Sequence, residues 1–161
     1  MITENKGVVT GILIAATLWF FMFSPWTAPM INFWGAMTFS AVILTCVSRW
    51  LCPEMFKELR FGGKQIVLGF AIAFVLWWVF WIGDKMSQLI FNFARPQVDM
   101  IYSMGNGTSS VIIAILLLLI IGPAEEIFWR GFVQRRLMLR FGSNIGFIAA
   151  TVCYALVHIW S

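Results

Sequence analysis

A cluster of ionisable side chains lies in a stretch of the sequence that is otherwise apolar. Residues 111–121 contain no polar side chain, and Glu125, Glu126 and Arg130 follow within the next nine residues. Placing an ionisable group inside an apolar span costs at least about 2.5 kcal/mol, so such groups are rarely present without a function. We therefore expect this cluster to be the working site of the protein.

The spacing of these side chains predicts separate roles. Glu126 and Arg130 are four residues apart, which places them on one helix face in the order that pairs best. Glu125 points about 100° away from that face. We expect Arg130 to hold Glu126 while Glu125 serves as a free base; the alternative is an ion pair that only locks helices together. Pro123 removes one backbone hydrogen bond, so we expect a kink that widens the space around the carboxylates.

A histidine further along the chain is the expected partner of Glu125. His158 is the only histidine in the sequence, and a predicted turn around Gly142 folds its segment back toward the cluster. Glu125 lies 17 residues before Gly142 and His158 lies 16 residues after it, so antiparallel helices place both at nearly the same depth. A carboxylate and an imidazole that face each other can hold and activate a water molecule. The alternative for His158 is hydrogen-bonded packing.

The composition indicates that a membrane surrounds this site. Of the 161 residues, 61% are hydrophobic and only 11% are charged, whereas a soluble domain carries about 25% charged residues. The net charge of +4 does not indicate nucleic-acid binding, because the basic residues lie between apolar segments rather than on one solvated face. We expect a single integral membrane domain over residues 1–161.

Five apolar segments are expected to cross the membrane. The alternation of apolar and polar residues that is typical of strands is absent, so the predicted fold class is all-α, a polytopic transmembrane helical bundle. The expected spans are about 7–23, 31–51, 66–82, 111–139 and 145–160. Between the third and fourth spans, Asp84 is expected to cap a separate amphipathic helix that lies on the outer membrane surface and ends before Arg95.

The distribution of basic residues predicts the orientation of the chain. With the N-terminus inside, eight Lys and Arg residues fall on the cytoplasmic side and two on the outer side, which is a positive-inside asymmetry. The N-terminus is therefore predicted to be cytoplasmic. Short loops are typical of bacterial or archaeal proteins, so the plasma membrane is the expected location.

Two motifs resemble those of a known family. Glu125-Glu126-x-x-x-Arg130 followed by Tyr154-x-x-x-His158 resembles the first two motifs of the CAAX-type intramembrane proteases, the CPBP family, also called Abi. The resemblance implies an all-helical intramembrane bundle that hydrolyses a peptide bond in a membrane-anchored protein. It implies that Glu125 is the general base that activates water, with His158 as its partner. Glu126 and Arg130 are then the supporting residues of the first motif.

A third motif of that family is not found in this sequence. The family has a second histidine on a later helix, followed four residues later by Asn or a similar polar residue, and this motif stabilises the oxyanion. The sequence contains no second histidine. We therefore expect either a chain truncated at its C-terminus or oxyanion donors from Asn32, Asn92 or a second copy in an oligomer.

No cofactor is expected. Catalytic zinc usually has three protein ligands and a water, and Glu125 and His158 supply only two, because Glu126 is expected to pair with Arg130. The cysteines share no metal-ligand spacing and are expected to be structural: Cys46, Cys52 and Cys153. We expect a metal-independent, glutamate-activated water, with a divalent metal as the alternative.

The expected function is therefore a glutamate-type intramembrane endopeptidase with a membrane-tethered protein or peptide as its substrate. The short loops favour a processing or immunity role over prenyl-protein maturation. One alternative is a non-catalytic membrane binding or immunity module on the same scaffold. A transporter with a proton relay is another, but residues 111–121 offer no polar path for it. The sequence does not predict the oligomeric state.

Overall fold

The computed structural model describes residues 2–59, 62–91 and 107–159. It is 88% helical, and no strand occurs in these three ranges, so the all-α fold class is confirmed. A single 3-10 turn, Ala28–Met30, lies between the first two helices. The helices are α1 (Ile2–Phe23), α2 (Phe33–Leu51), α3 (Pro53–Glu58), α4 (Gly63–Ile90), α5 (Ser110–Phe141) and α6 (Ser143–Val157).

Three of these helices are long and apolar enough to cross a membrane. They are α2, α4 and α5, while the apolar parts of α1 (Gly7–Phe23) and of α6 are shorter. Each of the five helices overlaps one predicted segment, and α4 extends beyond the predicted end at residue 82 to Ile90. The chain is therefore an integral membrane protein built from apolar helices.

The helices divide into two compact units. One unit comprises Met1–Glu58 and Gly105–Ser161, and the other comprises Leu59–Met104. The described part of the second unit is essentially α4, whose apolar side chains are exposed along its whole length. The single integral domain over residues 1–161 stays a prediction.

The structure differs from the sequence prediction at Asp84. This residue does not begin a separate helix, because α4 continues through it to Ile90. Gln88 Nε2 donates a hydrogen bond to Asp84 Oδ1 at 2.7 Å, and this four-residue spacing stabilises a continuous helix. The rest of the predicted surface helix, beyond Phe91, lies outside the described residues, and its position on the membrane surface stays a prediction.

The core of the first unit forms where α1, α2, α5 and α6 meet. Ala15 on α1 is fully buried, and its small side chain allows the neighbouring helices to approach closely. Larger side chains of α1, α2 and α5 fill the remaining space: Trp19, Leu44, Phe128, Phe132 and Val133. This core holds the middle of α5 in place.

Asn32 caps the N-terminus of α2. Its side-chain oxygen accepts a hydrogen bond from the Gly35 backbone N–H at 2.8 Å, which is the geometry of a helix N-cap. The cap satisfies one of the backbone donors that a helix leaves without partners at its first turn. Asn32 is therefore engaged by α2.

Two ion pairs connect the short helix α3 to α5. Arg135 donates to both carboxylate oxygens of Glu58 at 2.7 and 2.8 Å, and Arg136 Nη2 donates to Glu54 at 2.5 Å. The hydrogen bonds from Arg135 lower the pKa of Glu58. The pKa of Glu54 is also lowered, first by a hydrogen bond from its own backbone N–H and then by its other neighbours, which include Arg136. The pairs fix the end of α5 that carries these arginines.

Helices α5 and α6 form a tight hairpin because of two glycines. Gly142, between them, has φ 83° and ψ 165°, a conformation that only glycine adopts readily. One turn later, a Cβ on Gly146 would lie only 2.4 Å from the backbone N and Cα of Met138. The backbones of α5 and α6 are thus in direct contact at this level, and this contact sets the position of His158.

Candidate active site

The part of α5 that carries the acidic cluster is not a regular α-helix. Two widened, π-helical stretches, Leu117–Ile121 and Glu126–Gln134, flank a short α-helical turn, Gly122–Glu125. Gly122 N–H donates to Leu117 O, five residues back. Wide turns of this kind occur often at functional sites. These wide turns lie on both sides of Pro123, where we predicted a kink, and the kink itself stays a prediction.

Glu126 and Arg130 form the ion pair that their spacing predicts. Arg130 Nη1 donates to Glu126 Oε1, and both side chains are more than half exposed. The pair joins the two side chains along one face of α5. Its use in catalysis stays a prediction.

Glu125 lies in a different environment from Glu126. It is half-buried, and within the described residues its carboxyl group has no hydrogen-bond partner. Among the described residues Arg130 forms its ion pair with Glu126 and not with Glu125, and the role of Glu125 as a free base stays a prediction.

An aromatic cluster holds His158 next to α5. The His158 ring stacks on Tyr154 with 4.1 Å between ring centroids, and it contacts Trp19 at 5.0 Å and Trp129 at 6.1 Å. Trp129 also packs edge-on against Tyr154 at 5.2 Å. Trp129 is one turn after Glu125 on α5. These contacts therefore place Tyr154 and His158, the second motif, at nearly the same height along the hairpin as the first motif.

The His158 ring also has a defined hydrogen bond. Its Nδ1 lies 2.8 Å from the Tyr154 backbone oxygen. A carbonyl oxygen only accepts, so Nδ1 carries the proton, and in the neutral ring Nε2 is the acceptor nitrogen. Within the described residues, His158 and Glu125 form no direct hydrogen bond with each other.

Sequence reasoning did not assign a role to Trp129 or Trp19. Trp129 is only 4% exposed, and its indole N–H has no hydrogen-bond partner among the described residues. A buried donor without a partner is uncommon and calls for an explanation such as a bound water or ligand. Trp129 lies four residues after Glu125, which places both on one helix face, and this spacing was the signal in the sequence that could have identified it. Trp19 lies 139 residues before His158, and no local pattern links the two.

A groove lies beside this cluster, between α5 and α6. Its volume is about 180 Å³, and both polar and aromatic side chains line it: Trp129, Arg130, Gln134, Phe147, Ala150, Thr151 and Tyr154. The groove connects the exposed Arg130 with the aromatic contacts of His158. Neither Glu125 nor His158 lines this groove.

The other predicted groups are placed as follows. Asn32, one suggested oxyanion donor, caps α2, and Asn92 lies outside the described residues. In the part of the chain that the structure describes, no three His, Cys, Asp or Glu side chains group together in a way that could hold a metal ion. The metal-independent chemistry stays a prediction.

The fold and these contacts define a helical membrane protein with an acidic and aromatic site on a hairpin. Residues 107–161 match the family model described as "Type II CAAX prenyl endopeptidase Rce1-like". The match covers about a third of the chain and includes both motifs, so the resemblance to CAAX-type proteases is confirmed for this part. No curated protein and no solved structure matches the chain. The match indicates a protease in general terms, and the roles of individual residues stay predictions.

Proposed function

We propose that the protein is an intramembrane endopeptidase that cleaves a peptide bond in a membrane-anchored protein. The observation that carries this proposal is the pair of ring contacts by which Trp129 joins Tyr154 and His158. Trp129 lies one turn after Glu125, so the hairpin brings together the two motifs on which the family resemblance rests. The family match over the same residues supports the same activity.

Glu125 is the proposed general base. It is half-buried and has no hydrogen-bond partner among the described residues, so its carboxylate is available to a water molecule. His158 Nε2, an acceptor nitrogen in the neutral ring, receives a hydrogen bond from the same water and orients it. Glu125 removes a proton as the water oxygen bonds to the scissile carbonyl carbon. The carboxyl group then returns the proton to the leaving amine as the C–N bond breaks.

Glu126 and Arg130 have a supporting role in this proposal. Their ion pair holds the Arg130 guanidinium at the edge of the groove between α5 and α6. A guanidinium is a donor with no acceptor capacity, so it can bind backbone oxygens of a substrate segment in that groove. The buried indole N–H of Trp129 is a second donor close to His158.

The proposed substrate is anchored in the membrane by a lipid or an apolar segment. The words "CAAX prenyl endopeptidase" in the description of the matching family model support a prenylated protein as this substrate. We further propose a bacterial or archaeal plasma membrane as the location, with a cytoplasmic N-terminus, on the basis of the positive-inside asymmetry.

Cleavage of a membrane-tethered substrate tests the proposal. A prenylated peptide with a fluorophore and a quencher on either side of the scissile bond is added to the protein in liposomes. We expect Glu125→Gln and His158→Asn to lower kcat/KM by about 10²–10⁴-fold, the range typical of general acid–base groups. Asp84→Asn is the matched control, since it removes a carboxylate charge on α4, outside the unit that holds the site, and should leave the rate unchanged.

Equal cleavage by the wild type and Glu125→Gln would rule out the catalytic role. If none of the proteins cleaves the peptide but the wild type binds it, the non-catalytic binding module becomes the better explanation. A parallel series with a divalent-metal chelator distinguishes a metal-independent water from the metal alternative.

A further inference from the structure

Two adjoining cavities follow the face of α2 that the core leaves open. The first, of about 300 Å³, lies between α2 and α5 and includes Val42 and Pro123 in its lining. The second, of about 560 Å³, lies at the end of α2 and includes Arg49 and Trp50. Thr45 and Cys46 line both cavities, so the two form one continuous trough. We call it the α2 trough.

The α2 trough is separate from the candidate active site. On α5 it is lined by the side chains that face α2, including Ile120, Pro123 and Ile127. None of its lining residues belongs to the groove that contains Arg130 and Tyr154. A molecule in the trough therefore lies behind the helix that carries the acidic cluster.

The lining of the trough is largely apolar along its whole length, and one cationic side chain, Arg49, lies at its end. Between α2 and α5 the exposed surface is almost entirely apolar. At the other end, the Arg49 guanidinium lies 5.6 Å from the centroid of the Phe56 ring, and Trp50 is 78% exposed. Exposed tryptophans at the end of a span are typical of the boundary between membrane and water. The trough thus extends from the interior of the membrane to its surface.

Arg49 differs from the arginines of α5 in its interactions. Arg135 and Arg136 pair with Glu58 and Glu54, whereas no carboxylate pairs with Arg49 among the described residues. Its positive charge is available to an anion at the membrane surface. Basic side chains in this position attract anionic lipid head groups by about 1 kcal/mol each.

We propose that the α2 trough binds one anionic phospholipid, with an acyl chain along the apolar lining and the phosphate at Arg49. Both parts of this ligand have a complement in the trough, the chain in the surface between α2 and α5 and the phosphate in the guanidinium. The cavity volumes also lie in the range of about 300–1,000 Å³ that is usual for ligand sites. The lipid supports the face of α5 opposite the groove and does not enter the catalytic site.

Native mass spectrometry of the purified full chain tests this site without any use of catalysis. Dioleoyl phosphatidylglycerol or dioleoyl phosphatidylcholine is added in detergent at increasing concentration, and the lipid-bound fraction gives an apparent Kd. We expect one bound phosphatidylglycerol with an affinity about fivefold higher than that of phosphatidylcholine, which is the ratio that 1 kcal/mol provides. Equal affinities for the two lipids would overturn the proposal.

Arg49→Gln and its matched control show whether the Arg49 guanidinium itself binds the lipid phosphate. Arg140 is also an arginine over a phenylalanine ring, at 4.7 Å from Phe141, but it does not line the trough. We expect Arg49→Gln to abolish the preference for phosphatidylglycerol and Arg140→Gln to retain it. Equal losses in both variants would show general attraction to a basic protein surface and would refute a defined site.

A second pair of variants tests the apolar half of the trough. Cys46 is exposed and lines both cavities, so Cys46→Phe places a ring in the trough without disturbing the core. Val152→Phe adds a ring at another exposed position, on α6. We expect Cys46→Phe to weaken binding of both lipids at least tenfold and Val152→Phe to have no effect. Undiminished binding to Cys46→Phe would place the lipid elsewhere on the protein.

Discussion

The contact between the backbones of α5 and α6 gives the sharpest prediction of this structure. In Gly146→Ala, the new Cβ would lie 2.4 Å from both Cα and N of Met138. Non-bonded carbon atoms prefer a separation of about 3.5–4.0 Å, so the two helices must move apart by roughly 1 Å at this level. Both opposing atoms belong to the backbone, and no side-chain rotation relieves the overlap.

The expected cost of this overlap is about 1–3 kcal/mol, the usual range for an overfilled contact. The expected loss of thermal stability is about 2–4 °C for each kcal/mol in a chain of this size. Activity should fall further than stability, because His158 and Tyr154 move with α6 while Glu125 and Trp129 stay on α5. A displacement of 1 Å at a catalytic site can lower the rate about a hundredfold.

The assay compares Tm and kcat/KM of Gly146→Ala with those of Gly7→Ala. At Gly7 the added Cβ would meet only the two methyl groups of Leu51, at ordinary distances of 3.6 and 4.0 Å. We expect Gly7→Ala to be as stable as the wild type or slightly more stable, since alanine favours a helix by about 0.5–1 kcal/mol. If Gly146→Ala retains both its Tm and its cleavage rate, the close contact does not position the site and the reasoning fails.

Three further predictions follow from the same contacts. Gly142→Ala should lower the free energy of unfolding by about 1–3 kcal/mol, because its φ of 83° and ψ of 165° suit only glycine; an unchanged Tm would contradict this. Glu126→Gln should lower kcat/KM only about fivefold, the ratio that about 1 kcal/mol provides, because Glu126 acts through its pair with Arg130 and not on the water; a loss as large as that of the general base would reverse the two roles. Arg135 lowers the pKa of Glu58 in the folded protein below its ordinary value of 4.5. The ionised Glu58 therefore stabilises the fold above pH 4.5, and this stabilisation is lost as the pH falls from 4.5 through the lowered pKa. Tm measured between pH 3 and 7 should therefore decline below about pH 4.5, and the decline should be smaller in Arg135→Gln.

The features that depend on neighbouring residues could be predicted from the sequence. The pair of Glu126 with Arg130 follows from four-residue spacing, and the structure contains it. The hairpin follows from two apolar segments that meet at Gly142. Its register agrees with the contact between Trp129 and Tyr154, which lie 13 residues before and 12 residues after that glycine.

Features that depend on packing between distant segments could not be predicted. Glu58 and Arg135 are 77 residues apart, and no local pattern selects this pair among the other charges. The aromatic contacts of His158 with Trp19 depend on how α1 packs against α6. At Asp84 the local signal for a helix start was present, but its side chain bonds within a continuous helix instead.

A double-mutant cycle tests most directly the central claim that Glu125 and His158 act together on one water. The value of kcat/KM is measured for the wild type, Glu125→Gln, His158→Asn and the double variant, with the same tethered peptide. Residues that act as a unit are not additive, so we predict that the double variant is no slower than the slower single variant. A double variant whose loss equals the product of the two single losses would show independent roles and contradict the shared water.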